Sequence, residues 1–135
     1  MTRETDTDLL FVYGTLRRGC MNGCAQALYT ASNWLGPAWV RGRLYRVDWY
    51  PALLIDDQAG HVAGDLFRLH DPVAALAELD KYEETGIGFP EPWEYQRKQI
   101  LVEHLGGPTT AWAYIFNRPA TGLIQIAGGD FLASQ

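Results

Sequence analysis

The feature that most constrains this chain is the stretch Phe11 to Gly19, FVYGTLRRG, together with the two leucines before it. Leu9, Leu10, Phe11 and Val12 form a short, wholly apolar run, the pattern of a buried strand. The run stops at Tyr13-Gly14-Thr15. Gly14 can take backbone angles that a Cβ disfavours, and it leaves room for a ligand against the main chain. Successive N–H groups in such a turn can form a concave nest for an anion. Tyr13 and Thr15 add hydroxyls, and Arg17 and Arg18 add positive charge. Two descriptions fit these residues: a strand with an ordinary turn after it, or a strand that presents its end to a small carboxylate.

The rest of the composition sets limits. A chain of 135 residues is read as one domain, residues 1–135, large enough to bury a core without disulfide staples. Its net charge of −5 argues against a broad nucleic-acid surface. Five Trp, seven Tyr and five Phe, with many glycines, favour strands, turns and a pocket over a helical bundle. No apolar run approaches the roughly 20 residues of a membrane span. The amino terminus, MTRETDTD, is polar and lacks the apolar stretch of a signal peptide. A soluble, cytoplasmic protein without a membrane partner is expected. Cys20 and Cys24 have no second pair or histidine at ligand spacing, and His61, His70 and His104 are scattered. No metal site is expected, and the cysteines read as reduced thiols.

Along the chain, residues 21–32 hold a short helical pattern that Gly36 and Pro37 are expected to break. Residues 38–47 alternate like a strand, with Gly42 marking a bulge or a close backbone approach. A turn at 48–51 leads to a second apolar strand, 52–55, and Gly60 starts a third. Short pieces joined by turns predict antiparallel pairing. Asp71-Pro72 then reads as a helix start, a side-chain cap followed by proline in the first turn. Val73, Leu76 and Leu79 recur on one face, and the helix is expected to end near 82–84, before Gly86. Residues 86–92, GIGFPEP, form a loop, either a lid or an inert connector. Residues 93–104 and 110–117 make a hairpin around a Gly-Gly turn, and the tail after Pro119 shows no clear periodicity.

On the helix, Glu83 lies four residues after Leu79 and seven after Leu76. If the helix reaches it, its carboxylate falls on the buried stripe. Burial raises a carboxyl pKa toward the range useful for proton transfer near neutral pH. If the helix frays first, Glu83 is a solvated terminal residue. Asp80, near the same stripe, reads as structural, for instance by hydrogen bonding to neighbouring backbone. Tyr95 and Tyr114 on the hairpin can bring hydroxyls into a cavity or simply fill core.

Taken together, the segments FVYGTLRRG, GRLYRVDWYPALLI, VAGDLFRL, LDKYEE, EYQRKQILV and AWAYIF resemble, in order and over nearly the whole chain, the γ-glutamylcyclotransferase-like superfamily, in its small AIG2-like or γ-glutamylamine cyclotransferase branch. The resemblance implies an α/β (α+β) fold: a small mixed, barrel-like sheet with a few flanking helices and a central cavity. It implies that Tyr13-Gly14-Thr15-Leu16 is a substrate-binding loop, that Glu83 is the catalytic acid/base, and that Tyr95 and Tyr114 are pocket tyrosines. Arg97 resembles the associated strand arginine. Where the family often has glycine after the acid, this chain has Glu84. The implied reaction closes a γ-glutamyl amide or γ-glutamylamine onto its own α-amine, giving 5-oxoproline and a free amine without any cofactor. Two other readings remain: related acyl chemistry in a biosynthetic pathway, or a module that binds a small metabolite without turning it over.

Overall fold

One long strand carries the architecture. The computed structural model describes residues 7–14, 23–47, 50–83, 85, 88, 91 and 93–131. Its elements in order are β1 (Leu9–Val12), α1 (Gly23–Thr30), β2 (Ser32–Arg46), β3 (Pro51–Ile55), β4 (His61–Leu69), α2 (Pro72–Tyr82), β5 (Tyr95–His104), β6 (Gly107–Phe116) and β7 (Ile124–Gln125), followed by a short 3₁₀ turn at Ala127–Gly129. β2 pairs with β4 along Ser32–Arg41, touches β5 at Ala38 and Trp39, and turns to β3 and β7 over Gly42–Arg46. The run β2-β4-β1-β6-β5 therefore closes back on β2 as a small barrel. All of its pairings are antiparallel except β1 with β6. Closure is local to Ala38 and Trp39, where the two outer strands of this run meet. The barrel-like mixed sheet with flanking helices matches the expected α+β class.

Alternation divides the strands between two apolar layers. Leu9 and Phe11 of β1, and Tyr13 directly after it, join Val40, Leu44, Val62, Leu66, Ala111, Ala113 and Ile115 inside the barrel. Leu10 and Val12 point outward, where Leu28 of α1, Leu76 and Leu79 of α2, and Tyr95, Tyr114 and Phe116 cover them. Side chains from all around the sheet thus pack into the barrel interior. Small barrels of this size are expected to fill in this way.

Three local expectations change. Gly36-Pro37 does not end a helix. α1 stops at Thr30, and β2 runs through both residues with a register shift between Trp34 and Gly36. Gly36 takes φ 121°, and Pro37 pairs only with β4, before β5 joins at Ala38. A proline at a one-sided stretch costs the ladder no second hydrogen bond. Val73, assigned to the apolar face of α2, is 83% exposed, and only Leu76 and Leu79 of that helix are buried. The tail also proves structural: Ile126 and Phe131 are buried in the barrel. Gly42 does mark a close approach, since a Cβ there would lie 2.4 Å from the Leu54 carbonyl oxygen. Among the described residues, no helix is long and apolar enough to cross a membrane.

Candidate active site

The site forms where α2 ends against the barrel rim. Asp71 caps the start of α2 by accepting from the Ala74 N–H at 3.2 Å, and Pro72 sits in the first turn. At the other end Glu83 keeps helical angles (φ −86°, ψ −1°), and its N–H donates to the Leu79 carbonyl at 2.9 Å. The helix therefore does reach Glu83. Its stop is made by Glu83 and by Thr85, whose N–H closes back onto the Asp80 carbonyl at 3.0 Å. Such a 6→1 bond satisfies a carbonyl that the helix itself leaves open.

Glu83 is half-buried as a residue, but its carboxyl end is desolvated. Burial, and secondarily the negative charge of Glu94, raise its pKa from 4.5 to about 7. Three phenols share its surroundings. Tyr13 is buried at the end of β1, and its hydroxyl donates to the Tyr114 carbonyl at 2.5 Å. Tyr95 is buried on β5 and donates to the Pro51 carbonyl at 2.5 Å. Tyr114 is buried on β6 and donates to Asp80 Oδ1 at 2.7 Å. Burial raises all three phenol pKa values, and the charge of Glu83 adds to each shift. For Tyr114 the Asp80 hydrogen bond and charge come second after burial. The phenols stay neutral donors, while the Glu83 carboxyl is poised to exchange a proton near neutral pH.

Gly14 is buried beside this cluster, but not for the reason its turn suggested. Its φ lies outside the left-handed range, and a Cβ there would lie 2.8 Å from Pro51 Cγ. The missing side chain admits the Pro51 ring. Pro51 thereby links the end of β1 to Tyr95. Thr15 and Leu16, with Arg17, Arg18, Cys20 and Glu84, lie outside the described residues. The structure thus brings Glu83 together with Tyr13, Tyr95 and Tyr114, with Gly14 adjoining through Pro51.

Two neighbours were not read from the sequence. Tyr50 donates its hydroxyl to Glu94 Oε1 at 2.8 Å and packs 6.2 Å from the Tyr95 ring. Arg118 lies 3.6 Å from the other Glu94 oxygen. Tyr50 lies in the segment GRLYRVDWYPALLI that carries the family resemblance, so it had a signal; Glu94, in an irregular stretch, had none. Among the described residues, no group of three or more His, Cys, Asp or Glu side chains could hold a metal ion.

The raised carboxyl has a consequence for stability. A group whose folded pKa exceeds its unfolded one costs nothing below the unfolded value and its full penalty above the folded value. A shift from 4.5 to about 7 corresponds to roughly 3 kcal/mol, somewhat less given the residue's partial exposure. Glu83→Gln should therefore be more stable than the parent at pH 8, by up to about 3 kcal/mol, with the gap closing below pH 5. Urea unfolding at the two pH values measures it. Equal stabilities at pH 8 would mean that the carboxyl is not desolvated.

Comparison with known proteins places the chain. Residues 10–133 match the family described as gamma-glutamyl cyclotransferase, AIG2-like. The chain is 32% identical over 130 residues to the gamma-glutamylcyclotransferase family protein YtfP of Escherichia coli, covering 91% of this chain and 95% of that one. The solution structure of that protein superposes with a TM-score of 0.65, over 92% of this chain and 96% of the other. A second relative, the gamma-L-glutamyl-butirosin B gamma-glutamyl cyclotransferase of Niallia circulans, is 32% identical over 111 residues, 81% of this chain and 67% of its own. YkqA of Bacillus subtilis shares the fold at a TM-score of 0.72 and 23% identity, over 96% of this chain and 41% of its own. The chain belongs to the AIG2-like γ-glutamyl cyclotransferase family.

Proposed function

We propose that this protein converts a γ-glutamyl amide or γ-glutamylamine into 5-oxoproline and a free amine, with Glu83 as the general acid/base. The observation that carries the reading is a helix-terminal carboxyl with a pKa of about 7, surrounded by three neutral tyrosines. A relative named for cyclotransfer on a γ-glutamyl compound supports the same reaction class.

The chemistry asks little beyond that. The substrate's α-nitrogen attacks its own γ-carbonyl carbon, a five-membered ring closes, and the bond to the leaving nitrogen breaks. Holding the glutamyl chain folded supplies the large advantage of an intramolecular reaction. Glu83 takes protons from the attacking nitrogen and passes them to the leaving one, so the enzyme ends as it began. A carboxyl with a pKa near the working pH suits both transfers. Tyr13, Tyr95 and Tyr114 orient the substrate, and Gly14, Thr15 and Leu16 are assigned the binding of its carboxylate or carbonyl. Neither a protein nucleophile nor a cofactor takes part.

The test is a panel of γ-glutamyl amino acids and γ-glutamylamines, with 5-oxoproline followed as product. The reading expects release from at least one class. No product from any member, with binding still detectable, would replace the enzyme by a binding module of the same fold.

A further inference from the structure

Asp80 stands one helical turn before Glu83, and three parts of the structure converge on it. Its main-chain carbonyl accepts the Thr85 N–H. Its carboxylate accepts the Tyr114 hydroxyl on Oδ1 at 2.7 Å and takes Arg97 as a two-pronged donor, Nε to Oδ1 at 2.9 Å and Nη2 to Oδ2 at 3.2 Å. Paired donation of this kind fixes direction as well as distance. Arg97 is itself seated, its guanidinium 4.4 Å above the Trp112 ring. The Trp112 indole N–H is in turn tied to the Thr7 carbonyl at 2.9 Å. The carbonyl of Tyr114 accepts the Tyr13 hydroxyl. A continuous path thus runs from the last turn of α2 through the β5–β6 hairpin to the end of β1. It corrects the expectation that Asp80 bonds to neighbouring backbone through its side chain.

We propose that Asp80 is a positioning residue: by clamping the last turn of α2 to Arg97 and Tyr114, it holds the Glu83 carboxyl among the tyrosines. The proposal rests on the reading of Glu83 as acid/base. On the helix itself two described side chains are buried, Leu76 and Leu79, while Tyr82 in its last turn is exposed. Helix ends with few buried contacts open readily. A carboxyl displaced by about 1 Å from its working place can lose on the order of a hundredfold in rate.

The groups facing Glu83 are Tyr13 from β1, Tyr95 from β5, Tyr114 from β6 and Glu94 just ahead of β5. None changes in the variants that test the clamp, Asp80→Asn and Arg97→Gln. The sign of the shift in Arg97→Gln separates positioning from simple charge. Removing Asp80's negative charge and loosening the helix end both lower the Glu83 pKa. Removing Arg97's positive charge raises it, whereas loosening the end lets water in and lowers it. We expect the ¹³C carboxyl titration of Glu83 in the free protein to move from about 7 toward 4.5 in both variants. We also expect kcat to fall by roughly ten- to a hundredfold, with little change in KM. Glu78→Gln, which removes an exposed ion pair with Lys81 on the same helix, should leave the midpoint in place. A midpoint that rises in Arg97→Gln, or stays fixed in either folded variant, overturns the clamp, as does a parent midpoint already near 4.5. Should Asp80→Asn fail to fold, Arg97→Gln decides alone. If the parent releases no 5-oxoproline, the proposed function falls, while the titration still tests the positioning.

Discussion

Glu83→Gln should reduce 5-oxoproline formation by about 10²- to 10⁴-fold, the usual contribution of a positioned acid/base. The substitution keeps shape and hydrogen-bonding capacity, and it removes a carboxyl whose ionisation the fold opposes. Loss of activity will therefore come without loss of structure, and the variant should be the more stable protein at pH 8. Stabilisation at the cost of activity is expected where a strained group serves chemistry. The neighbouring carboxyl provides the control, since Glu84→Gln should cost little. Single-turnover assays on both variants make the comparison. Full activity in Glu83→Gln would remove that residue from the reaction, whatever the family of the chain.

Phe131→Ala should cost about 3–5 kcal/mol of stability. The ring is 1% exposed and closes the barrel core with Ile126, and the Arg46 guanidinium lies over it at 5.4 Å from the ring centre. The turn that seats it depends on Gly129, at φ 66°, where a Cβ would lie 2.2 Å from the His61 carbonyl oxygen. Domains of this size are stable by only about 5–15 kcal/mol, so one truncation would remove a large share. Denaturant unfolding with an unchanged slope would show the loss. A variant within about 1 kcal/mol of the parent would mean that the tail is peripheral to the core.

What was legible in the sequence follows from how local each signal is. The apolar run of β1, the Asp71-Pro72 start of α2 and the Gly-Gly hairpin each depend on a few adjacent residues, and each appears as read. The placement of Glu83 on the inner stripe needed only the helical repeat counted from Leu76 and Leu79. The misread parts depend on distant partners. Gly36-Pro37 continues a strand because β4 pairs with it on one side. Val73 is exposed because α2 leaves that turn uncovered, which a repeat along one helix cannot reveal. Phe131 is core because Gly129 folds the tail against β4, a partner distant in sequence that periodicity within the tail does not reveal. The partners of Asp80 lie 17 and 34 residues away, so its side chain looked free to bond nearby.

The pH dependence of kcat/KM on a γ-glutamyl substrate reaches the proton-transfer step most directly, because its acid limb reports an essential base of the free enzyme. The account predicts a rate that climbs about tenfold per pH unit and levels off above a midpoint of about 7, the value burial gives Glu83. A limb centred near 4.5, where an ordinary solvated carboxyl titrates, would contradict it.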